Sequence, residues 1–267
     1  MSDIRRFQII EESVVIPMAR SVFLIGAIAA LLVPLVGCGS SENAKRSDLK
    51  PDLALTVGYL DLSAYHGRIE RKDLTGLTSV LKNEKIDIFG VTGITRYPGV
   101  ATRTDFVDVV SSLNDMRKAF GLASDNSGHQ IGNAVFSVYP LRSSARIPLE
   151  DGSKDESVSA LLAVVDGGVS EIQIISAHLP SKGAFEKDLR EAVGKSEKSR
   201  PLLILGNLPQ HPSQDFIAGP AATNPSFASP IWIRRDASFE LLSLHNAPSA
   251  FGVITVAHVG FFRTRIP

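Results

Sequence analysis

A short apolar run that ends in a polar turn is the first feature whose residue types suggest chemistry. The run is Leu202–Leu205, with Pro201 before it and Gly206 after it. So short a run between proline and glycine is typical of a buried strand rather than of a helix. Asn207 follows at the carboxyl end of the predicted strand, where α/β sheets tend to carry their functional groups. We therefore treat Asn207 as a candidate site residue.

Two histidines provide the other groups that could do chemistry. His178 follows an apolar run at 169–177, and His258 lies in the closing apolar segment. An imidazole can accept or donate a proton near neutral pH. A single histidine at a strand end is more often a surface residue, and a solvated loop also accounts for His211. A common catalytic role therefore requires that His178, Asn207 and His258 share one pocket.

The elements that must position these residues alternate between strands and helices, which predicts an α/β fold. The turn Asp166-Gly167-Gly168 is a hairpin signal between two of the strands. Helices are predicted to begin at the caps Asp73 and Thr104 and to cover 182–195. Strands are predicted at 53–62, 86–94, 132–141, 157–166, 169–177, 202–205 and 252–263.

Several of these segments resemble motifs of the endonuclease/exonuclease/phosphatase superfamily, which has the deoxyribonuclease I-like fold. The turn after Leu205 resembles the family's Gly-Asp-Phe-Asn motif, with Asn207 in place of the aspartate. Ser176-Ala177-His178-Leu179 resembles the family's Thr-His-Leu motif. The segment ending at His258 resembles the family's closing Ser-Asp-His motif, with Ala257 in place of the aspartate. In the family, a final apolar strand follows this motif.

Three further segments extend the resemblance over 53–267. Gly132-Asn133-Ala134 resembles the family's Gly-Asn-Ala strand, and Tyr59 fits the end of its first strand. Leu60 then replaces that strand's asparagine, unless Asp61 substitutes for it. The strand ending in Gln-Glu is matched by Thr92 and Gly93, so the family's metal-binding glutamate is a glycine here.

The resemblance implies a two-sheet α/β sandwich with helices on the outer faces. In the family, the glutamate binds Mg or Mn, the aspartate orients or deprotonates water, and two histidines stabilise charge on the phosphate. Here the three acids are replaced at Gly93, Asn207 and Ala257. A vestigial site of His178, Asn207 and His258 is predicted, with no cofactor expected, and with Mg or Mn only if the site is active.

Three functions remain open. They differ in whether the protein is an enzyme, so that question is open as well. The first is a non-catalytic protein that binds an unknown ligand at the former active-site cleft. The second is an active extracytoplasmic metal-dependent phosphodiesterase or phosphatase with relocated ligands, for which Asp61, Asp87 and His211 are candidates. The third is a structural envelope lipoprotein whose resemblance to the family is accidental.

The amino terminus predicts export and lipid attachment. Arg20 precedes an apolar run at 22–33, which is short of the ~20 residues that span a bilayer. Leu35-Val36-Gly37-Cys38 resembles a bacterial lipobox, in which Cys38 would be acylated. We predict a signal peptide at 1–37, with Met18 as an alternative start, and a lipid-anchored tether at 38–52. The alternative is an uncleaved anchor with an incidental cysteine.

Both alternatives predict a cell-envelope protein outside the cytoplasmic membrane. The absence of aspartate after Cys38 also permits sorting to an outer membrane. Lys plus Arg equal Asp plus Glu at 28 each, so no net field attracts a polyanion, which disfavours nucleic acid as a partner. Cys38 is the only cysteine, which excludes an internal disulfide framework.

Overall fold

A computed structural model describes most of the chain after Leu49. The described residues are 50–65, 69–98, 100, 104–126, 128–149, 158–177, 187, 189–190, 193–194, 196–197, 199–206, 208, 216–218, 230–234 and 239–262. The predicted signal peptide and nearly all of the predicted tether lie outside these residues, as does most of the predicted helix at 182–195.

Two six-stranded mixed sheets form the described part of the domain. The first sheet contains β1 (Leu53–Asp61), β2 (Ile88–Arg96), β3 (Arg117–Asn126), β4 (His129–Ser137), β11 (Phe239–Ser249) and β12 (Gly252–Phe261). The second contains β5 (Leu141–Leu149), β6 (Val158–Asp166), β7 (Glu171–Ala177), β8 (Leu202–Leu205), β9 (Phe216–Ala218) and β10 (Ile231–Arg234). The strand orders are β11-β12-β1-β2-β4-β3 and β5-β6-β7-β8-β10-β9.

The apolar core has a layer between the sheets and a layer on each outer side. Alternate residues of β1, such as Leu55 and Val57, pack between the sheets against Ile174 and Leu203. Because successive strand side chains point to opposite faces, Leu60 lies in the outer layer of the first sheet. This architecture confirms the predicted two-sheet sandwich.

Two helices cover the outer face of the first sheet. They are α1 (Arg71–Asn83) and α2 (Phe106–Asn114), which pack Leu74, Leu77 and Phe106 against that face. The predicted caps need correction. Asp73 lies inside the first turn of α1, where its Oδ2 accepts a hydrogen bond from the Glu70 N–H at 3.2 Å. Helix α2 is capped by Asp105, which accepts from the Asp108 N–H at 3.1 Å, and not by Thr104.

The predicted strand at 132–141 is divided between the sheets. Strand β4 ends at Ser137, and β5 begins at Leu141 in the second sheet. The Ser137 hydroxyl accepts a hydrogen bond from the Tyr139 N–H at 3.0 Å, which closes a turn. Pro140 has no N–H for a sheet ladder, so a continuous strand is disfavoured there. This turn carries the chain from one layer of the sandwich to the other.

The predicted β6–β7 hairpin is confirmed. The two strands pair antiparallel from Asp166↔Glu171 to Ala160↔Ala177. In the turn, Gly168 has a φ of +79° and donates its N–H to Asp166 Oδ1 at 2.9 Å. A left-handed residue of this kind is most readily a glycine, which explains the sequence signal.

Candidate functional site at the ends of the parallel strands

Four parallel strand ends meet at one end of the sandwich. In the first sheet, β1 and β2 pair in parallel, and their last paired residues are Asp61 and Thr92. In the second sheet, β7 and β8 pair in parallel, and their last paired residues are Ser176 and Leu205. Strands β2 and β7 also touch across the layer, where Ser176 Oγ donates to the Val91 carbonyl at 3.5 Å. We call Asp61, Thr92, Gly93, Asn133 and Ser159 the strand-end site, because they surround this meeting point.

Hydrogen bonds join the side chains of the strand-end site in the first sheet. Thr92 is fully buried, and its hydroxyl oxygen lies 2.7 Å from the Tyr59 hydroxyl. The same hydroxyl donates to Asp61 Oδ1 at 3.2 Å, and the Ser63 N–H donates to that oxygen at 2.9 Å. A buried hydroxyl requires such partners, so Thr92 is held in place by this network.

Gly93 has no room for a side chain. Its φ is +70°, and a Cβ built on it would lie 2.4 Å from Ser63 N and 2.5 Å from Ser63 Cα. Real Cβ atoms do not approach backbone this closely, so the segment after β1 occupies the space that any side chain at residue 93 would need. The resemblance requires a glutamate at this position, and the backbone geometry is incompatible with one.

Asn133 links the two sheets at the same end of the sandwich. Its Nδ2 donates to the Ser159 carbonyl at 2.8 Å, and its Oδ1 accepts from the Gly93 N–H at 3.4 Å. Asn133 is 4% exposed, and its hydrogen bond to Ser159 is buried, whereas the one from Gly93 is partly buried. Asn133 therefore has a positioning role between β4, β2 and β6.

His258 does not lie at the strand-end site. It pairs with Thr56, whereas Asp61 ends β1 five residues further along. At about 3.3 Å per residue, this is a separation of roughly 16 Å along the strand. Its side chain also faces outward, since the neighbouring Ala257 and Val259 pack between the sheets.

In the resemblance, the histidine of the closing motif precedes the final strand. His258 instead lies inside that strand. The final strand begins at Gly252, so Ser249, Ala250 and Phe251 occupy the preceding positions. Phe251 is 6% exposed and packs edge-on against Tyr65 with ring centroids 5.3 Å apart. Ala257 is fully buried between the sheets, where an acid would be costly, so it is not a lost catalytic acid.

The actual neighbours of His258 form a polar cluster on the outer face of the first sheet. Its Nδ1 lies 3.2 Å from Thr56 Oγ1, and its ring stacks on that of His245 with centroids 5.7 Å apart. His245 Nε2 lies 2.8 Å from Glu84 Oε2. These contacts tie β12 and β11 to the end of α1.

The alternative ligands Asp61 and Asp87 lie at opposite ends of the β1–β2 pair. Asp61 is level with Thr92, and Asp87 precedes Ile88, the first residue of β2. Within the described ranges, no group of three or more His, Cys, Asp or Glu residues could hold a metal ion. Together with the blocked position at Gly93, the described residues of the strand-end site do not fit a divalent cation.

Four predicted site residues fall in segments outside the described ranges. His178, Asn207, His211 and Cys38 lie outside the described residues, and their roles stay predictions. Strands β7 and β8 end at Ala177 and Leu205, beside each other in the parallel register. Within the described residues, no helix is long and apolar enough to span a membrane.

The strand-end site contains residues whose contribution the sequence did not reveal. In the resemblance, Thr92 only replaces the family's glutamine, and Asn133 is only part of a strand motif. The signal for Asn133 was present, because an asparagine inside an apolar run must find partners when buried. Nothing in the sequence indicated that Ser63 would approach Gly93.

Comparisons with known proteins support the architecture. No family model matches the chain, and no curated protein matches its sequence. An endonuclease/exonuclease/phosphatase from Beutenbergia cavernae superposes with a TM-score of 0.59 at 18% identity, over 80% of this chain and 73% of that one. An endonuclease/exonuclease/phosphatase family protein from Leptotrichia buccalis gives 0.61 at 8% identity, over 78% of this chain and 100% of that one.

A third solved structure comes from a eukaryote. The human Nocturnin catalytic domain, solved with a bound sulfate anion, gives a TM-score of 0.61 at 15% identity, over 79% of this chain and 94% of that one. These identities are low, so the similarity concerns the fold. The two packed sheets and the similarity to these structures show that the chain has the endonuclease/exonuclease/phosphatase, deoxyribonuclease I-like fold.

Proposed function

We propose that this domain has lost metal-dependent phosphoester hydrolysis and serves in binding, held at the cell envelope by a lipid on Cys38. The observation that carries the proposal is the blocked position at Gly93, where a Cβ would lie 2.4 Å from backbone nitrogen. Mg²⁺ normally needs at least one carboxylate in addition to water and substrate oxygens. Position 93 can supply no carboxylate while the segment through Ser63 stays where it is.

The remaining acid at the site also favours a structural role. Asp61 accepts hydrogen bonds from Thr92 Oγ1 and the Ser63 N–H, which fix its carboxylate at the end of β1. Phe251 places a buried aromatic ring just ahead of β12, where a histidine that precedes the final strand would stand. A phenyl ring can neither transfer a proton nor neutralise a phosphate. Ligand binding at the former cleft needs neither function.

The proposal predicts that the purified full-length chain, kept in mild detergent, neither binds Mn²⁺ nor cleaves a phosphodiester. Calorimetric titration with MnCl₂ should give no saturable heat in the micromolar range. Incubation with bis(p-nitrophenyl) phosphate and Mn²⁺ or Mg²⁺ should release no nitrophenol above the buffer rate.

Asp61→Asn provides the matched control, because it removes the one carboxylate at the strand-end site and keeps a hydrogen-bond acceptor. Micromolar Mn²⁺ binding together with turnover, both lost in Asp61→Asn, would contradict the proposal and favour an active phosphodiesterase.

Lipid attachment is a separate prediction. In a bacterial host fed labelled palmitate, the wild-type chain should take up label and fractionate with membranes. Cys38→Ser should lose the label, because Cys38 is the only cysteine available for thioether formation. If neither chain is labelled and both remain in the membrane fraction, the apolar segment is an uncleaved anchor and the lipid is excluded.

A further inference from the structure

The strand order leaves one edge of the first sheet open. Strand β11 (Phe239–Ser249) lies at that edge, and among the described residues it pairs only with β12. Its other side presents backbone N–H and C=O groups that have no neighbouring strand in the described part of the chain. Such groups can pair with a strand from another molecule, and native proteins usually protect them.

The other described edge strands have the usual kinds of protection. Strand β3 carries the exposed Lys118, β5 carries the exposed Arg142 and Arg146, and β9 has only three residues. Charged side chains and a short length both discourage pairing at an edge. In β11, the segment Leu241–Leu244 contains no charged residue, and Leu242 is 49% exposed. The middle of β11 is therefore an apolar edge without such protection.

A β-bulge sets the directions of the side chains in this segment. The register with β12 skips Leu242, which lies between the paired residues Leu241 and Ser243. Leu241 and Leu244 consequently point to the same face, and both pack against the core between the sheets. Without the bulge, residues three apart would point to opposite faces.

The residues that flank the two leucines point to the outer face of the first sheet. The ring of His245 stacks on that of His258, which lies on the outer face. Glu240 pairs with Gly260, two residues along β12 from His258. Because side chains alternate along a strand, Glu240 shares the face of His245. The bulge is thus flanked by two leucines on the inner face and by an acid and a histidine on the outer face.

This arrangement is complementary to itself. If a second copy of β11 lies antiparallel along the open edge with its Leu244 opposite Leu241, its His245 lies opposite Glu240. The two-fold axis then repeats both contacts. Leucine meets leucine on the inner face, and acid meets imidazole on the outer face, and both are favourable cross-strand pairs. A shift of one residue would set Leu241 opposite a residue of the other face, so the register is specified.

His245 can keep its contact within the chain when the strands pair. Its Nε2 lies 2.8 Å from Glu84 Oε2. A protonated imidazole has two donors, so it can bind Glu84 through Nε2 and the second copy's Glu240 through Nδ1. Leu242, Ser243 and His245 are all exposed, so the described residues leave this part of the outer face open to a second strand.

We propose that two copies of this chain pair through β11 and join their six-stranded first sheets into one continuous sheet. The two-fold axis passes beside Leu242 and Ser243. Backbone hydrogen bonds along the two open edges hold the copies together, as in other strand additions. The leucine contacts and the contacts between Glu240 and His245 fix the register. The pairing does not involve the strand-end site and does not depend on whether that site is catalytic.

Disulfide trapping of the full-length chain in mild detergent tests this register. Cys38→Ser first removes the only native thiol, and Glu240→Cys and His245→Cys are then introduced together. Oxidation with copper phenanthroline should give a covalent dimer on a non-reducing gel, because directly opposed residues lie within the reach of a disulfide.

The two single-thiol chains are the controls. Glu240 pairs with Gly260 and His245 with Val256, so two copies of the same thiol lie four register steps apart, roughly 13 Å. A disulfide cannot span that distance, so each single-thiol chain should give about tenfold less dimer. Equal yields from the single-thiol and double-thiol chains, or a double-thiol chain that stays monomeric, would overturn the proposal.

Two lysine substitutions in the double-thiol chain connect the dimer to the open edge. Leu242→Lys places two like charges beside the two-fold axis and should lower the yield of dimer about tenfold. Val253→Lys introduces the same charge at a residue of β12 that is 58% exposed, and it should leave the yield unchanged. Full yield in Leu242→Lys, or equal loss in both variants, would exclude β11 as the interface.

Discussion

Gly93→Ala should lower the free energy of unfolding by about 3 kcal/mol, as measured by chemical denaturation. Two costs add at this position. A non-glycine residue in the left-handed region loses about 1–2 kcal/mol, and forcing an atom into packed space costs about 1–3 kcal/mol. The φ of +70° imposes the first cost, and the contact of 2.4 Å with Ser63 N imposes the second.

Gly168→Ala is the matched control for this substitution. Gly168 has nearly the same φ, +79°, but nothing lies within 4 Å of a Cβ built on it. It should therefore lose only the conformational part, about 1 kcal/mol. Equal losses at Gly93 and Gly168 would show that the segment through Ser63 moves aside easily, and that the strand-end site has room for a side chain.

Gly206→Ala should have an effect at least as large, on the order of 3 kcal/mol or more, or should prevent folding. A Cβ on Gly206 would lie 1.8 Å from the Ala177 carbonyl oxygen. The oxygen belongs to the backbone of Ala177, and the backbone of residue 206 fixes the position of the Cβ, so no side-chain rotation can relieve the contact. The variant is expected to separate β7 from β8 at the ends that lead into His178 and Asn207.

Gly76→Ala tests the same chemical change where there is space. Gly76 lies inside α1, and a Cβ there meets nothing within 4 Å. Because alanine favours the helix, this variant should gain roughly 0.5–1 kcal/mol. A chain that tolerates both Gly206→Ala and Gly76→Ala would contradict the close approach of β7 and β8.

The parts of the fold that sequence reasoning found are those with strong local signals. Leu202–Leu205 is bounded by breakers, and Asp166-Gly167-Gly168 is a turn that glycine permits. The edge strands β3, β5, β9 and β11 were missed. Strand β5 shows why, because five successive residues from Arg142 are exposed and no apolar alternation marks it as a strand.

The candidate site was harder to predict, because it depends on register and on contacts distant in sequence. His258 looked like the end of a motif, but pairing with Thr56 sets it in the middle of β12. A shift of a few residues along a strand moves a side chain by many ångströms, and letters alone do not fix that shift. The missing carboxylate at Gly93 was visible in the sequence, whereas the nearby Ser63 backbone was not.

The close approach of the Ser63 backbone to Gly93 has an evolutionary consequence. If an ancestor of this chain carried a glutamate at position 93, its loss became hard to reverse once the Ser63 backbone moved into the gap. A mutation back to an acid would first meet a steric penalty and would gain nothing until 61–65 had been rebuilt. Selection acting on one substitution at a time would therefore preserve the glycine, whatever role the domain has since acquired.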